Sequence, residues 1–96
     1  MSSRAEVRVG RRTPVNKYIN ICLVLFHSGY DEIVVKARGL SIPKAIEIVE
    51  KLRKYFMRNL EISSIELGSD YIVTRKGFQR RISTISIFIR RGVEKT

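Results

Sequence analysis

Residues 32–43, Glu-Ile-Val-Val-Lys-Ala-Arg-Gly-Leu-Ser-Ile-Pro, decide the fold of this chain. The first six are β-branched and apolar in their middle, which predicts an inner strand. Ser41 is placed to N-cap a helix and Pro43 fits its first turn, so a helix is predicted to begin here. A strand that leads directly into a helix indicates an α/β arrangement.

The helix that follows is predicted to extend from about Ile42 to Arg58. Apolar residues recur on it at three- and four-residue spacing, which predicts one buried side. The predicted buried residues are Ala45, Ile46, Val49, Leu52 and Phe56. The other side carries Glu47, Glu50, Lys51 and Lys54, a pattern typical of a solvated face.

The residues before this unit show the same order of strand and helix. Glu6–Val9 alternates polar and apolar side chains, which predicts a short strand. A helix is predicted from Val15 to Ser28, with Pro14 at its start and Gly29 as its stop. This helix is apolar almost all round, so it either lies under two layers or also contacts a partner subunit.

Two long strands, about residues 60–74 and 80–90, are predicted after the second helix. In the later strand, isoleucines at every second position indicate period 2. The predicted order is β-α-β-α-β-β, an α/β (α+β) two-layer sandwich with both helices on one face of a four-stranded mixed sheet. We expect residues 1–96 to form a single domain, with frayed ends at residues 1–5 and 92–96.

The composition points to a polyanionic partner. The chain has 96 residues, with 19 Lys+Arg against 9 Asp+Glu and a net charge of +10. Such a balance suits DNA, RNA or an anionic membrane surface. No apolar run is long enough to span a membrane, and the first residues lack the apolar core of a signal peptide. A single cysteine favours a reducing, cytoplasmic setting.

Three basic clusters lie at predicted junctions between elements. The first comprises Arg11, Arg12 and Lys17, the second Lys36, Arg38 and Lys44, and the third Arg75, Lys76, Arg80 and Arg81. The two β-to-α junctions should emerge at one edge of the sheet beside helix N-termini, which favour phosphate. The alternative is that these are ordinary solvated charges.

Phe78 lies at the predicted tip of the final hairpin. An exposed aromatic side chain there suits a wedge between base pairs or a stacking surface. Alternatively, Phe78 folds back on its own hairpin or packs on a neighbouring molecule.

Several of these motifs resemble the Alba (Sac10b) family, over about Val7 to Arg90. The motifs are Glu32 to Gly39 followed by Ile42 and Lys44-Ala45, the opening Gly10-Arg11-Arg12-x-Pro14-Val15-x-x-Tyr18, and the closing Arg81 to Ile85. The resemblance implies a fold like the C-terminal domain of translation initiation factor three. It also implies a dimeric archaeal chromatin protein that coats double-stranded DNA and binds RNA.

The resemblance also suggests roles for particular residues. The family's paired loop lysines fall on Arg11 and Arg12, its Lys-Ala-Arg-Gly residues on Lys36 and Arg38, and its minor-groove arm on Arg75 to Arg81. The aromatic residue that packs between neighbouring dimers falls on Phe56. Arginines replace the usual loop lysines, and Phe78 stands where a basic or polar residue is usual. A divergent second paralogue, pairing with itself or with another paralogue, fits these departures.

Three functions follow as hypotheses. The first is a sequence-nonspecific binder of double-stranded DNA that packages chromatin, and the second an RNA-binding module of a ribonucleoprotein or an RNA protector. The third, a phosphate-handling enzyme, is disfavoured because no Gly-rich phosphate loop, Cys–His pair or paired carboxylates are evident. We expect no cofactor and no metal site, because His27 has no suitably spaced second ligand.

Overall fold

The computed structural model describes residues 3–92, which form one four-stranded sheet with two helices packed on one face. The elements are β1 (Arg4–Arg8), α1 (Val15–His27), β2 (Glu32–Arg38), α2 (Ile42–Lys51), β3 (Leu60–Val73) and β4 (Gln79–Arg91). A 3-10 turn, Gly39–Ser41, precedes α2, and a π-helical turn, Leu52–Phe56, follows it. The predicted order and the mixed two-layer architecture are confirmed.

The strand order places both strand-to-helix junctions at one edge of the sheet. The order is β1-β2-β4-β3, with β1 parallel to β2, and β4 antiparallel to both β2 and β3. Strand β2 is therefore an inner strand, as predicted. Because β1 and β2 are parallel, their carboxyl ends meet at the same edge, where the chain enters α1 and α2.

Strand pairing extends further towards the N-terminus than the sequence indicated. Arg4 pairs with Glu32 and Ala5 with Ile33, and Arg4 Nε donates to Glu32 Oε1 at 2.6 Å. Arg4 and Ala5, which the sequence placed in a frayed end, are thus part of β1. Gly92 is also held, since its N–H donates to the Asn59 carbonyl at 2.7 Å. Ser3 is held as well, since its carbonyl accepts from the N–H groups of Asp31 and Glu32 at 3.2 Å. Residues 1–2 and 93–96 lie outside the described residues.

The core lies between the helices and the sheet. Its fully buried side chains include Cys22, Phe26, Ile33, Val35, Ile48, Leu52 and Ile89. Burial raises the pKa of the Cys22 thiol to about 11, so this cysteine stays neutral. Helix α1 leaves Val24 63% exposed, so residues 3–92 do not bury α1 on every side.

Helix α2 buries a slightly different set of side chains from the predicted one. Ala45, Ile48 and Val49 face the core, whereas Ile46 is 41% exposed. At 3.6 residues per turn, Ile46 lies about 100° round the helix from Ala45, away from the centre of the buried side. The prediction that Ile46 is buried is wrong for this reason.

The π-helical turn removes Phe56 from the core. Met57 N donates to the Leu52 carbonyl at 2.8 Å, a bond that spans one more residue than an α-helical bond. The extra residue moves Met57 towards the core and leaves Phe56 56% exposed. The predicted burial of Phe56 and the predicted α-helix to Arg58 are therefore corrected.

Ser41 does not cap α2 with its side chain, contrary to the prediction. It is buried within the 3-10 turn, where the backbone itself supplies a bond, from Ile42 N–H to the Gly39 carbonyl. A tight turn thus replaces the side-chain cap at the start of α2.

Candidate nucleic-acid interface

The loop between β1 and α1 is held by its backbone and presents its side chains outward. Val9 N–H donates to the Lys36 carbonyl at 2.8 Å, and Gly10 N–H donates to Tyr18 Oη at 2.7 Å. The side chains of Arg11 and Arg12 are exposed. Lys17 is exposed in the first turn of α1, a helix with no acidic residue in that turn.

Lys44 bridges this loop to α2. Its Nζ donates to the carbonyl oxygens of Gly10 and Arg11, each at 2.8 Å, and of Thr13 at 2.9 Å. The sequence placed Lys44 among the phosphate-contacting residues. In the structure its ammonium is directed at the loop backbone.

The junction between β2 and α2 turns at a glycine whose positive φ other residues rarely adopt. Gly39 has a φ of 57°, and a Cβ at this position would lie 2.8 Å from Ile82 Cδ1 of β4. The turn exposes the flanking side chains of Arg38 and Leu40. The guanidinium of Arg38 and the apolar side chain of Leu40 are thus both exposed at this edge of the sheet.

Lys36 lies on the sheet face opposite the helices and is ion-paired there. Its Nζ lies 3.0 Å from Glu6 Oε1, and Arg8 Nε donates to Glu6 Oε2 at 2.8 Å. Hydrogen bonds from Lys36 and then from Arg8 hold the pKa of Glu6 below its ordinary value of 4.5. Glu6 therefore shares its negative charge between two cations that border the predicted binding surface.

The β3–β4 hairpin projects past the end of β2 as an arm. Arg38, the last residue of β2, pairs with Thr84. Residues 79–83 of β4 and their β3 partners therefore extend beyond the end of β2 as a two-stranded ribbon. Five residues add about 17 Å at roughly 3.4 Å each. The molecule measures 57 × 27 × 20 Å, and this arm contributes to its long dimension.

The tip of the arm is a tight, cationic loop. Thr74 N–H donates to the Phe78 carbonyl at 2.8 Å, and Phe78 N–H donates to Thr74 Oγ1 at 3.1 Å. Gly77 has a φ of 83°, which glycine adopts without strain. Phe78 is 69% exposed although its backbone is fixed. The predicted basic residues of the arm are also exposed: Arg75, Lys76, Arg80 and Arg81.

The topology brings the three predicted clusters to one end of the molecule. Both strand-to-helix junctions lie at the carboxyl ends of β1 and β2, and the arm projects past that same end. Within residues 3–92, the ion pairs involve none of these residues: Arg11, Arg12, Lys17, Arg38, Arg75, Lys76, Arg80 and Arg81. At the other end, Arg4 pairs with Glu32 and Arg90 with Glu61.

Sequence reasoning missed three charged residues beside this surface, Glu6, Arg8 and Asp70. Arg8 and Asp70 line one groove with Arg38 on the open face of the sheet, and Glu6 pairs with Arg8. The alternation Glu6-Val7-Arg8 was a signal that Glu6 and Arg8 share a face. Their meeting with Lys36 depends on the β1–β2 register, which no local pattern specifies.

Strand β3 also carries an uncovered apolar stripe on its helix-facing side. Pairing with the buried Ile85, Ile87 and Ile89 of β4 defines this side of β3. The stripe consists of Ile62, Ile65, Leu67, Tyr71 and Val73, which are between 37% and 79% exposed. The helices leave it uncovered within the described residues.

Residues 3–92 contain no helix that is both long and apolar enough to cross a membrane. Across the same residues, no three metal-binding side chains come together.

Comparisons with known proteins agree with this two-helix, four-strand fold. The profile of the family described as Alba matches residues 5–69. The protein named DNA/RNA-binding protein Alba from Methanocella arvoryzae is 32% identical over 78 residues, which cover 81% of each chain. The chain belongs to the Alba family.

Solved structures support the same assignment. Alba from Thermoplasma volcanium superposes with a TM-score of 0.84 at 27% identity, covering 90% of this chain and 99% of the other. ALBA1 from Trypanosoma brucei gives a TM-score of 0.74 at 25% identity, covering 91% of this chain and 68% of the other.

Proposed function

We propose that this protein binds double-stranded DNA without sequence specificity and packages it as a dimer, through its basic loops and its protruding hairpin arm. The observation that carries the proposal is the gathering of three cationic clusters at one end of the molecule. Arginines and lysines beside helix N-termini suit phosphate oxygens. The name of the Methanocella relative, a DNA/RNA-binding protein, supports the same class of ligand.

The proposed mode of binding relies on phosphate contacts, since within residues 3–92 neither helix is placed to read bases. Helices α1 and α2 pack on the sheet, and their N-termini point to the cationic end. Sequence-specific readout needs side chains such as Asn, Gln and Arg aligned on an element in the major groove. The contacts proposed here are with Arg11, Arg12, Lys17, Arg38 and the cations of the arm, and with Lys36 once phosphate competes with Glu6.

The apolar stripe on β3 is proposed to pair with a second copy of this chain. On β3 the stripe side has no charged residue between Ile62 and Val73, and the nearest cation on that face, Arg81 of β4, lies opposite Tyr71 near the tip of the arm. Edge strands with exposed apolar side chains are normally covered in native proteins. A two-fold dimer would carry two arms, which could follow the grooves of one duplex.

Two exposed aromatic residues have proposed roles beyond phosphate contact. Phe78, fixed at the tip of the arm, is proposed to insert between base pairs or to stack on bases. Phe56, turned outward by the π-helical turn, is proposed to contact a neighbouring dimer on the same duplex. On this proposal the protein works in the cytoplasm, on the chromosome.

RNA is the second candidate ligand, because the relative's name includes it and phosphate contacts do not distinguish the two polymers. With the same cationic surface, this protein would then protect RNA or form part of a ribonucleoprotein. In either case binding carries out no chemical reaction, and the proposal includes no catalytic residue, cofactor or metal.

The test is substitution of the loop arginines. Arg11→Ala with Arg12→Ala should weaken binding to duplexes of every sequence and lower the slope of log affinity against log salt by about 0.9 for each phosphate that the variant no longer neutralises. The matched control is Arg53→Ala with Lys54→Ala, which removes two exposed cations beyond the far end of α2. Equal effects from the two double variants would show that net charge, and not the cationic end, directs binding.

A further inference from the structure

One ammonium group holds the backbone of the loop that carries Arg11 and Arg12. Lys44 Nζ donates to three loop carbonyls, those of Gly10, Arg11 and Thr13, at 2.8 to 2.9 Å. A lysine ammonium has three donors and no acceptor, so these bonds use its full capacity. Lys44 therefore has no donor free for a phosphate oxygen.

The Lys44 bonds connect parts of the chain that are far apart in sequence. Lys44 lies in the first turn of α2, between 31 and 34 residues from the carbonyls that it binds. On the other side of the loop, the hydroxyl of the buried Tyr18 accepts the Gly10 N–H at 2.7 Å. Together α1 and α2 fix a segment that has no regular secondary structure of its own.

The bonds also determine where the loop side chains are displayed. Since the carbonyls of Gly10, Arg11 and Thr13 are directed at Lys44, the backbone faces the protein there. The Arg11 and Arg12 side chains are left exposed. A loop that is ordered before binding loses less conformational entropy when its side chains meet a ligand.

We propose that Lys44 is a positioning residue for nucleic-acid binding: it holds the loop so that Arg11 and Arg12 meet phosphate, and it makes no phosphate contact itself. The inference rests on the function proposed above. A swing of Lys44 towards phosphate would break three charge-assisted hydrogen bonds and leave the carbonyls of Gly10, Arg11 and Thr13 without this donor. The bound loop therefore keeps Lys44 on its carbonyls.

The first test is Lys44→Met, measured on a short duplex over a range of salt concentrations. We expect affinity to fall about 5- to 30-fold at fixed salt, because the arginines lose their ordered support. The slope of log affinity against log salt should equal that of a control variant, Lys54→Met. That control removes the same charge ten residues further along, roughly 15 Å away at 1.5 Å per residue.

The second test is a double-mutant cycle with the loop arginines. If Lys44 acts through them, Lys44→Met should change affinity by less than about 2-fold once Arg11→Ala and Arg12→Ala are present. An independent phosphate contact would instead cost the same factor in both backgrounds. It would also lower the salt slope by about 0.9 relative to Lys54→Met. Either result would overturn the proposal.

A charge-neutral variant covers the case in which Lys44→Met does not fold, as thermal denaturation would reveal. Tyr18→Phe removes only the hydroxyl that accepts the Gly10 N–H. It should weaken binding about 3- to 10-fold with the wild-type salt slope, and unchanged affinity would overturn the role of loop order. If the wild-type protein itself fails to bind with a steep salt dependence, the proposed function fails as well. Failure of the proposed function is therefore visible in the wild-type titration, whereas failure of the Lys44 proposal is visible only in the variants.

Discussion

Glu6 places a negative charge beside two cations that border the proposed binding surface. Lys36 and Arg8 both donate to its carboxylate, at 3.0 and 2.8 Å, and these bonds lower its pKa. A carboxyl group with a lowered pKa stabilises the fold above its unfolded pKa, and this contribution is lost only as pH falls through the lowered value. Glu6 is therefore ionised throughout the physiological range, where it competes with phosphate for Lys36.

Replacement of Glu6 should strengthen binding. Glu6→Gln removes the carboxylate charge while keeping its shape, so Lys36 and Arg8 become available to phosphate. We expect affinity for duplex DNA to rise roughly 3- to 10-fold at low salt, with a steeper salt slope. Fluorescence anisotropy at several salt concentrations measures both quantities. Glu61→Gln is the matched control, since it releases Arg90 at the opposite end. A decrease in affinity for Glu6→Gln would contradict the proposed role of Lys36.

Phe78 offers a test that separates insertion from stacking. Phe78→Ala should make the free energy of binding less favourable by about 1–3 kcal/mol, the usual value of a base-stacking contact. The slope of log affinity against log salt should change little. Phe78→Leu keeps an apolar wedge but removes the aromatic ring. If Leu restores binding, Phe78 acts as a wedge, and if it does not, Phe78 stacks. Wild-type affinity for Phe78→Ala would assign the residue to packing alone.

The charged residues show where sequence reasoning stops. The positions of Arg11, Arg12 and Arg38 at element junctions were predictable, because junctions follow from local patterns. The partners of Lys36 and Lys44 were not predictable, since Glu6 lies 30 residues from Lys36 and Gly10 lies 34 residues from Lys44. Residues so far apart in sequence come into contact only through the register of β1 with β2 and the packing of α2, which local sequence patterns do not specify.

Among the secondary-structure elements, the π-helical turn after α2 determines whether Phe56 or Met57 faces the core. Spacing of four residues from Leu52 predicted Phe56 in the core, but the bond from Met57 N to the Leu52 carbonyl places Met57 there. A π-helical bond cannot be inferred from apolar spacing, because its five-residue step breaks the period on which the inference depends. The strands were easier to predict, since period 2 continues through β4.

Phe56 should affect neighbouring dimers and not the isolated dimer. Phe56→Ala is expected to leave affinity for a duplex with one binding site unchanged. On a long duplex it should reduce cooperativity roughly tenfold, as truncation of an interface aromatic typically costs more than 1 kcal/mol. Electrophoretic mobility shifts on both lengths provide the comparison. Equally weak binding to the short and the long duplex would instead place Phe56 in the nucleic-acid interface.

The stripe on β3 should control oligomeric state. Leu67→Glu introduces a charge at a side chain that is 79% exposed in the single chain. A two-fold interface contains Leu67 from each protomer, and burial of each side chain stabilises the dimer by about 1.5–3 kcal/mol. Because the substitution removes both contributions, a monomer is expected. Sedimentation velocity measures the change in mass.

Val24→Glu is the matched control for the stripe, because Val24 is an exposed apolar residue of α1. It should leave the dimer intact. Dissociation by Val24→Glu but not by Leu67→Glu would place the interface on α1 instead. That result would favour the alternative in which the apolar surface of this helix contacts the partner.

Across the molecule as a whole, topology converts scattered charges into a polarised surface. Parallel pairing of β1 with β2 brings two basic junctions to one edge, and the register of β4 extends the arm beyond it. Ion pairs at the opposite end, such as Arg90 with Glu61, neutralise cations there. Within residues 3–92, eight exposed cations without an ion pair lie where the arm and loops meet, whereas Arg53 and Lys54 lie beyond the far end of α2.

Binding through phosphate charge at this cationic end is tested by a salt titration. Wild-type protein is titrated against fluorescent duplex DNA and duplex RNA of matched sequence at several salt concentrations, with a second DNA sequence as the specificity control. We predict tight binding to DNA that is indifferent to sequence and falls steeply with salt, by about 0.9 logarithmic units for each phosphate contact. A strong preference for RNA would replace chromatin packaging with the RNA-binding function. Affinity for DNA that hardly changes with salt would contradict binding through phosphate charge.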